Sequence, residues 1–506
     1  MSKKTILRVA SMLLASVMLV GATGCHKGEE ESIETAVSTE ADDGYLDNLP
    51  EGLDFGGTEV IFLVAEPSAN KGGAFSERSI GLEDYTLGAE NTNKVDEVIY
   101  YRNTDVESRL NVDIVTYAFD GAIIQNAVLN SLLSGDSEFD VLCGYQAFDI
   151  SIATQGLVLN LNDLESHNAD YIDFSREYWS QSYNEAMSYS GAMYWITGDL
   201  SLRYIGGMYC TFVNTVLYNN AFYNTRGDIY SLVDSGKWTL ETMSQMSVAV
   251  FEDSGTKADS SDEQDLLGFT LEINDMLDGM AVGAGVLFSE KGSDGEISII
   301  LSNGDRNAAA IDFINKMNKI LFTDRGTYYV TPHTHSQTSM TLFAKGNVLF
   351  THDKVYQAEN YLTDMKEDYA IIPSPKLDSN QENYRAAIHD GCTLFGIYYN
   401  SDNIAASAAS LEAMAALSYQ NVTPSYYEEA LKYRYSRDGE SARMLDLIRD
   451  SVYIDFAFAW GNNINSIHNY FRDAVSTTAT ASSFRKFKNT WNASLSTLLD
   501  TLKKAS

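Results

Sequence analysis

Between Glu59 and Cys143 the chain alternates short apolar runs with longer stretches of helical spacing. Glu59-Val60-Ile61-Phe62-Leu63-Val64 has the length and composition of a buried strand. Val95, Val98, Ile99, Val106 and Leu110 then form the stripe of an amphipathic helix, with Asn91 or Thr92 in place to cap it. Asn111 to Tyr117 reads as a second strand. Ile123, Ile124, Ala127, Val128, Leu132 and Leu133 read as a second helix face, and Phe139-Asp140-Val141-Leu142-Cys143 as a third strand. Strand, helix, strand, helix, strand leaves few options: parallel neighbours need a crossover, and crossover helices then cover the sheet. The fold class is therefore α/β. Ligands of such open sheets bind outside the carboxyl ends of the strands. That directs attention to the residues just after Val64, Tyr117 and Cys143.

Upstream of this block, Lys3, Lys4 and Arg8 precede an apolar run from Val9 to Val20 interrupted only by serines. About 12 residues make a signal-peptide core, well short of the about 20 that span a bilayer. The following Leu19-Val20-Gly21-Ala22-Thr23-Gly24-Cys25 resembles a bacterial lipobox, with Ala22 where leucine is usual. The resemblance implies cleavage before Cys25 and attachment of a diacylglyceryl group to it. Two acyl chains anchor stably where one does not. The expectation is an extracytoplasmic protein tethered to the cell membrane, with residues 1–24 removed. Residues 25–50, carrying Glu29-Glu30-Glu31, Asp42 and Asp43, are expected to be a disordered acidic linker. The formal net charge of −35 repels nucleic acid and anionic lipid, so nucleic-acid binding is set aside. Cys143, Cys210 and Cys392 are widely spaced with no C-x-x-C, which gives no zinc spacing and leaves open whether any two pair.

Further along, Met208 to Leu217 reads as a strand running into Tyr218-Asn219-Asn220. Trp238-Thr239-Leu240-Glu241 has the form of a helix start, with Thr239 as cap and Glu241 in the first turn, where negative charge suits the helix dipole. Ala308, Ile311, Phe313, Ile314, Met317 and Leu321 mark an amphipathic helix. Phe343 to Phe350 reads as a turn and strand, Tyr369 to Pro373 and Leu394 to Ile397 as further strands, and Ser407 to Leu417 as a helix. The end of the chain is helical, with Phe484, Phe487, Trp491, Leu495, Leu498, Leu499 and Leu502 forming one apolar stripe.

Seven stretches, in order, resemble the extracellular solute-binding proteins of ABC sugar importers, the group that includes maltose-binding protein. They are Val106 to Ile114; Phe139-Asp140-Val141-Leu142; Ala192-Met193-Tyr194-Trp195-Ile196, with Thr197 where the family carries proline; Tyr218-Asn219-Asn220; Trp238-Thr239; Phe343-Ala344-Lys345-Gly346-Asn347-Val348-Leu349; and Ile371-Ile372-Pro373. The resemblance implies a two-lobed fold of the type II periplasmic-binding-protein kind, with a hinge and discontinuous lobes. On it, lobe one takes 51–205 and a return at 386–420, lobe two takes 206–385, and 421–506 is a helical region packing mainly on lobe two. It also implies a monomeric receptor rather than an enzyme, with no cofactor, an ABC permease as partner and a mono- or oligosaccharide as ligand. The 31 tyrosines suit that ligand.

A sugar site needs aromatic faces for C–H surfaces beside carboxylates and amides for hydroxyls. The segments expected to face the cleft supply Tyr145, Gln146, Phe148 and Asp149 after the third strand, and Trp195 and Asp199 at the first crossing between lobes. They also supply Tyr209 at the next strand, His352, Asp353 and Tyr356 after the Phe343 motif, His389 and Asp390 beside Gly391, and Trp460 with Asn462 in the tail. For each of these, packing within its own lobe is the competing expectation. Other chemistry finds no motif: there is no G-x-S-x-G, P-loop, H-E-x-x-H or EF-hand loop. His333-Thr334-His335 lacks a third metal ligand. Two rival functions stay open. One is a tethered glycoside hydrolase, which needs two carboxylates about 5–10 Å apart across the sugar. The other is a sensory or adhesive binding protein of the same fold.

Overall fold

β1 (Thr58–Glu66) carries Val60, Phe62 and Val64 on one face and Ile61 and Leu63 on the other, so both faces must be covered for it to be stable. Both are covered in the structure, a computed structural model that describes residues 44–66, 94–120, 123–135, 138–256, 261–304, 306–330, 339–432, 440–477 and 484–505. β1 lies between β2 (Val112–Asp120) and β3 (Val141–Tyr145), parallel to both, with Val60 opposite Ile114 and Leu63 opposite Leu142. β11 (Thr393–Ile397) arrives from far down the chain and pairs antiparallel with β3, Phe395 opposite Cys143. The sheet order is β11-β3-β1-β2.

Helix Ile404–Leu417 packs on the Val60, Phe62 and Val64 face. It is buried nearly all round, which is why its sequence shows no amphipathic stripe. Its Glu412 accepts hydrogen bonds from the Tyr178 hydroxyl and from Trp179 Nε1, tying the 178–179 segment to the same lobe. Helix Gln125–Ser134 packs on the Leu63 face through Ala127 and Val128. Leu132 and Leu133, expected on that stripe, are exposed. The crossover helix Lys94–Leu110 buries Val95, Ile99, Val106 and Leu110 as expected. Its anticipated cap, Asn91 or Thr92, lies outside the described residues.

The second sheet contains β4 (Tyr209–Asn214), β5 (Leu267–Glu272), β8 (Thr327–Val330), β9 (Val348–Lys354) and β10 (Tyr369–Ile372), ordered β10-β4-β9-β5-β8. β5 runs parallel to both its neighbours and β4 antiparallel to both of its own. The strand expected to reach Leu217 stops at Asn214. The Asn214 side chain accepts from the Val216 and Leu217 N–H groups at 3.1 and 3.0 Å, capping a helix, Thr215–Arg226, that contains Tyr218. Thr239 caps its helix as expected, accepting from Thr242 N–H. Helix Ala308–Phe322 and the turn at Gly346 before β9 also match.

A short hairpin of β6 (Ser289–Lys291) and β7 (Ile297–Ile299) joins the helical tail. Phe471 of the tail packs against Phe288 and Phe313, and Trp491 against Tyr470 and Phe487. The same tail also touches the first lobe. Helix Lys488–Ala505 packs on residues Ile150–Gln155, and the Tyr194 hydroxyl donates to the Leu502 carbonyl at 3.1 Å. Asn462 Nδ2 donates to the Ala147 carbonyl at 2.7 Å, and Lys291 of the hairpin donates to the Glu185 and Ser188 carbonyls. Cys143, Cys210 and Cys392 are all buried thiols, and Cys25 lies outside the described residues. No described helix is long and apolar enough to cross a membrane.

Candidate functional site

Both sheets bring strand ends to one place. β3 ends at Tyr145, opposite Thr393 at the start of β11. Tyr209, the first residue of β4, lies opposite Lys354, the last of β9. β5 leads into helix Asp275–Gly283. Residues 386–392 run between the two sheets: Met208 bridges Ile388, and the His389 N–H donates to the Gly207 carbonyl at 2.9 Å. This is where an open sheet places its ligand.

The centre is a cluster of fixed charges. Asp275 accepts from the Tyr209 hydroxyl and from Lys354 Nζ, both at 2.8 Å, and lies 3.2 Å from His389 Nε2. Lys354 Nζ also stands 3.2 Å from Asp353, with its side chain 5% exposed. Burial by itself raises the Asp275 carboxyl and lowers the Lys354 ammonium. The pairing outweighs burial in both. Lys354 and His389 hold Asp275 well below the usual carboxylate range, and Asp275 with Asp353 hold Lys354 well above the usual amine range. Asp353 goes the other way, raised by burial against the pull of Lys354.

Aromatic rings line the charges. Lys354 Nζ lies 5.6 Å from the Tyr209 ring centroid and 5.9 Å from that of Tyr356. His352 stacks on Tyr209 at 5.9 Å, and burial pushes its imidazole down to about 3, so it stays neutral. Tyr145 packs against Phe148 at 5.3 Å, and burial, with Asp390 and Asp275 nearby, raises its hydroxyl far above the ordinary value. The Gly391 N–H donates to His389 Nδ1 at 3.0 Å. An amide can only donate, so the proton of a neutral His389 sits on Nε2, facing Asp275. A side chain at Gly391 would put its Cβ 2.6 Å from His389 Nδ1 and 2.9 Å from Tyr145 Cε2, so any other residue would displace these site rings. One turn beyond Asp275, Asp278 accepts from Arg472. Burial pushes the Asp278 carboxyl up to about 7 even so.

No family model matches the chain, and no curated protein does. Solved structures do match it. An ABC substrate-binding protein from Listeria monocytogenes in complex with cycloalternan is 12% identical, with a TM-score of 0.52 over 88% of this chain and 99% of that one. The cyclic alpha-maltosyl-1,6-maltose binding protein from Arthrobacter globiformis is 11% identical, with a TM-score of 0.53 over 89% of this chain and 100% of that one. M. tuberculosis UspC is 12% identical, with a TM-score of 0.53 over 86% and 100%. The fold is that of the two-lobed solute-binding proteins.

Within this solute-binding fold, seven of the residues expected from the sequence come together at the lobe junction: Tyr145, Tyr209, His352, Asp353, Tyr356, His389 and Asp390. Five others have side chains committed to holding the fold. Gln146 accepts from Cys392 Sγ at 3.3 Å. Asp149 accepts from the N–H groups of Tyr145 and Gln125. Trp195 Nε1 donates to the Ile150 carbonyl, inside the core. Asp199 pairs with Arg449 at 2.8 Å and accepts from Thr423. Trp460 is buried against Phe456. Asp275, Lys354 and Arg472 were not among the expected residues. The signal for Lys354 was present, since it directly follows His352-Asp353 at a strand end. Among the described residues no group of three or more His, Cys, Asp or Glu is arranged to hold a metal, and His333 and His335 lie outside them.

Asp149 acts on the site at one remove, because it fixes the backbone of Tyr145. Asparagine offers one acceptor oxygen where the carboxylate offers two. Asp149→Asn is therefore expected to strand a buried N–H and cost about 1–3 kcal/mol, read by chemical denaturation. An unchanged midpoint would count against this role.

Proposed function

We propose that this chain is an extracytoplasmic solute receptor that binds a carbohydrate between its lobes and delivers it to an ABC permease. The observation that carries the reading is the meeting of Tyr145, Tyr356 and Asp390 where strand ends of the two sheets converge, beside the buried Tyr209. Rings and a carboxylate together suit the C–H faces and hydroxyls of a sugar. The likeness to the two carbohydrate-associated structures above, over nearly their whole length, supports it. In this reading lobe one comprises 51–205 and 386–420, lobe two comprises 206–385, and the tail 421–506 packs mainly on lobe two while also touching lobe one. Ligand binding shifts the equilibrium toward the closed form by its differential affinity, with no chemical step. Cys25, lipidated, tethers the receptor, and the acidic linker 25–50 keeps it within reach of the permease at raised effective concentration.

A thermal-shift screen over oligosaccharides and peptides tests the reading. A sugar at a hundred times its Kd adds about 2.7 kcal/mol of stability. Stabilisation by peptides alone overturns the carbohydrate assignment. Sustained conversion of any sugar, followed by chromatography, overturns the receptor assignment in favour of a hydrolase. Mass spectrometry of the membrane-fraction protein tests the tether: an N-terminal peptide with unmodified Cys25 overturns it.

A further inference from the structure

The hydrogen bonds at the lobe junction also decide which sign of charge a ligand can bring there, an inference that rests on the carbohydrate reading. Three of the four carboxylates have protein donors. Asp275 faces the Tyr209 hydroxyl, Lys354 and His389 Nε2. Asp353 accepts from the Lys354 N–H at 2.8 Å and faces its ammonium. Asp278 takes two bonds from Arg472. Of the bases, Lys354 is matched to two carboxylates and Arg472 to one; Arg203 has no carboxylate partner among the described residues and lies over the Tyr356 ring at 5.2 Å, with no ion pair to Asp390. His389 holds its Nε2 proton toward Asp275 because Gly391 occupies Nδ1.

Asp390 is the exception. Its carboxylate is 3.6 Å from His389 Nε2, too far for a hydrogen bond, and its side chain is 38% exposed. It nevertheless lies among the site groups, since its charge acts on Tyr145, Tyr209, Asp278 and His468. An anionic ligand arriving beside Asp390 meets a carboxylate whose one basic neighbour within ion-pair distance, His389, already faces Asp275. A hydroxyl finds an acceptor there, and an ammonium group finds an acceptor and an opposite charge.

We propose that Asp390 is the carboxylate that contacts the ligand, and that the site selects a carbohydrate bearing an ammonium group over its neutral counterpart and rejects uronic acids. The test is calorimetric titration of the full chain with matched amino, N-acetylated and uronic oligosaccharides of gluco, galacto and manno configuration, in mildly acidic buffer. Within a set that binds, the amino sugar is expected to bind on the order of tenfold more tightly than the N-acetylated one, as for two unit charges in a wet site. That advantage should shrink as salt is raised. Asp390→Asn, with its folding checked by thermal melting, should bring the two to near parity. Equal or tighter binding of the uronic sugar overturns the inference, and so does an amino preference that persists in Asp390→Asn or is insensitive to salt. Neutral sugars that bind as well as amino sugars also overturn it, while leaving the receptor reading intact. Failure of all three classes removes the receptor reading and this inference together.

Discussion

Replacing Lys354 with methionine is expected to destabilise the protein by about 3–5 kcal/mol, the usual result of removing one partner from a buried ion pair. The lysine is almost fully enclosed and stands between Asp275 and Asp353. Without it two carboxylates remain in a largely enclosed place, Asp353 almost wholly buried and Asp275 16% exposed. Urea unfolding reads the loss, and adding Asp275→Asn should recover part of it by removing one orphaned charge. The pH dependence has a definite sign. Asp275 in the folded protein sits below its reference value of 3.8, so its pairing contributes stability that is present above that value and lost as the pH falls through the folded value. The gap between native protein and variant should therefore narrow in acid. A variant as stable as the native protein at neutral pH would mean that the lysine is solvated.

Glu412 should give the opposite pH signature. Its carboxyl is pushed up to about 7, first by burial, against the hydrogen bonds from Tyr178 and Trp179 that favour its charged form. From about pH 4.5 to 7 the folded chain holds a proton that the unfolded chain has released, so stability falls as the pH rises through that window. Glu412→Gln keeps an acceptor for Trp179 Nε1 and has no proton to lose. Its melting temperature relative to the native protein should rise steadily across the window. Asp149 and Asp278, also pushed up to about 7, slope both proteins alike and drop out of the difference. Glu412→Ala instead leaves the Tyr178 hydroxyl and Trp179 Nε1 buried without the partner they now share, at about 2–6 kcal/mol for the two. A melting difference between Glu412→Gln and native protein that is constant with pH would show that the carboxyl titrates normally.

The first lobe was readable because each of its strands announces itself locally. A strand apolar on both faces between two helical stripes admits one arrangement, and β1, β2 and β3 adopt it. The end of β4 was misread because Val216 and Leu217 continue the apolar run past Asn214, and only the cap turns the chain into a helix there. The site was half legible for a related reason. That a ligand lies beyond the strand ends follows from topology, which located Tyr145, while the family resemblance supplied Tyr209, Asp353, Tyr356, His389 and Asp390. Composition does not tell which way a ring or carboxylate faces. Trp195 answers to the Ile150 carbonyl, and Asp199 to Arg449, each brought near by the fold and not by sequence. Lys354 looks like an exposed strand-end lysine until Asp275, 79 residues earlier, closes over it.

The order in which this chain is synthesised is the reverse of the order in which its first lobe can be completed. Val60, Phe62 and Val64 emerge early, yet the helix that covers them is Ile404–Leu417, and the strand beside β3 is β11. Tyr194 waits longer still for the carbonyl of Leu502, and Ile150–Gln155 for the last helix. A nascent chain must therefore carry apolar sheet surface uncovered through most of translation, the condition under which chains aggregate unless something holds them. On the proposed reading, in which the protein is exported, that delay suits a chain that must be transported before it folds.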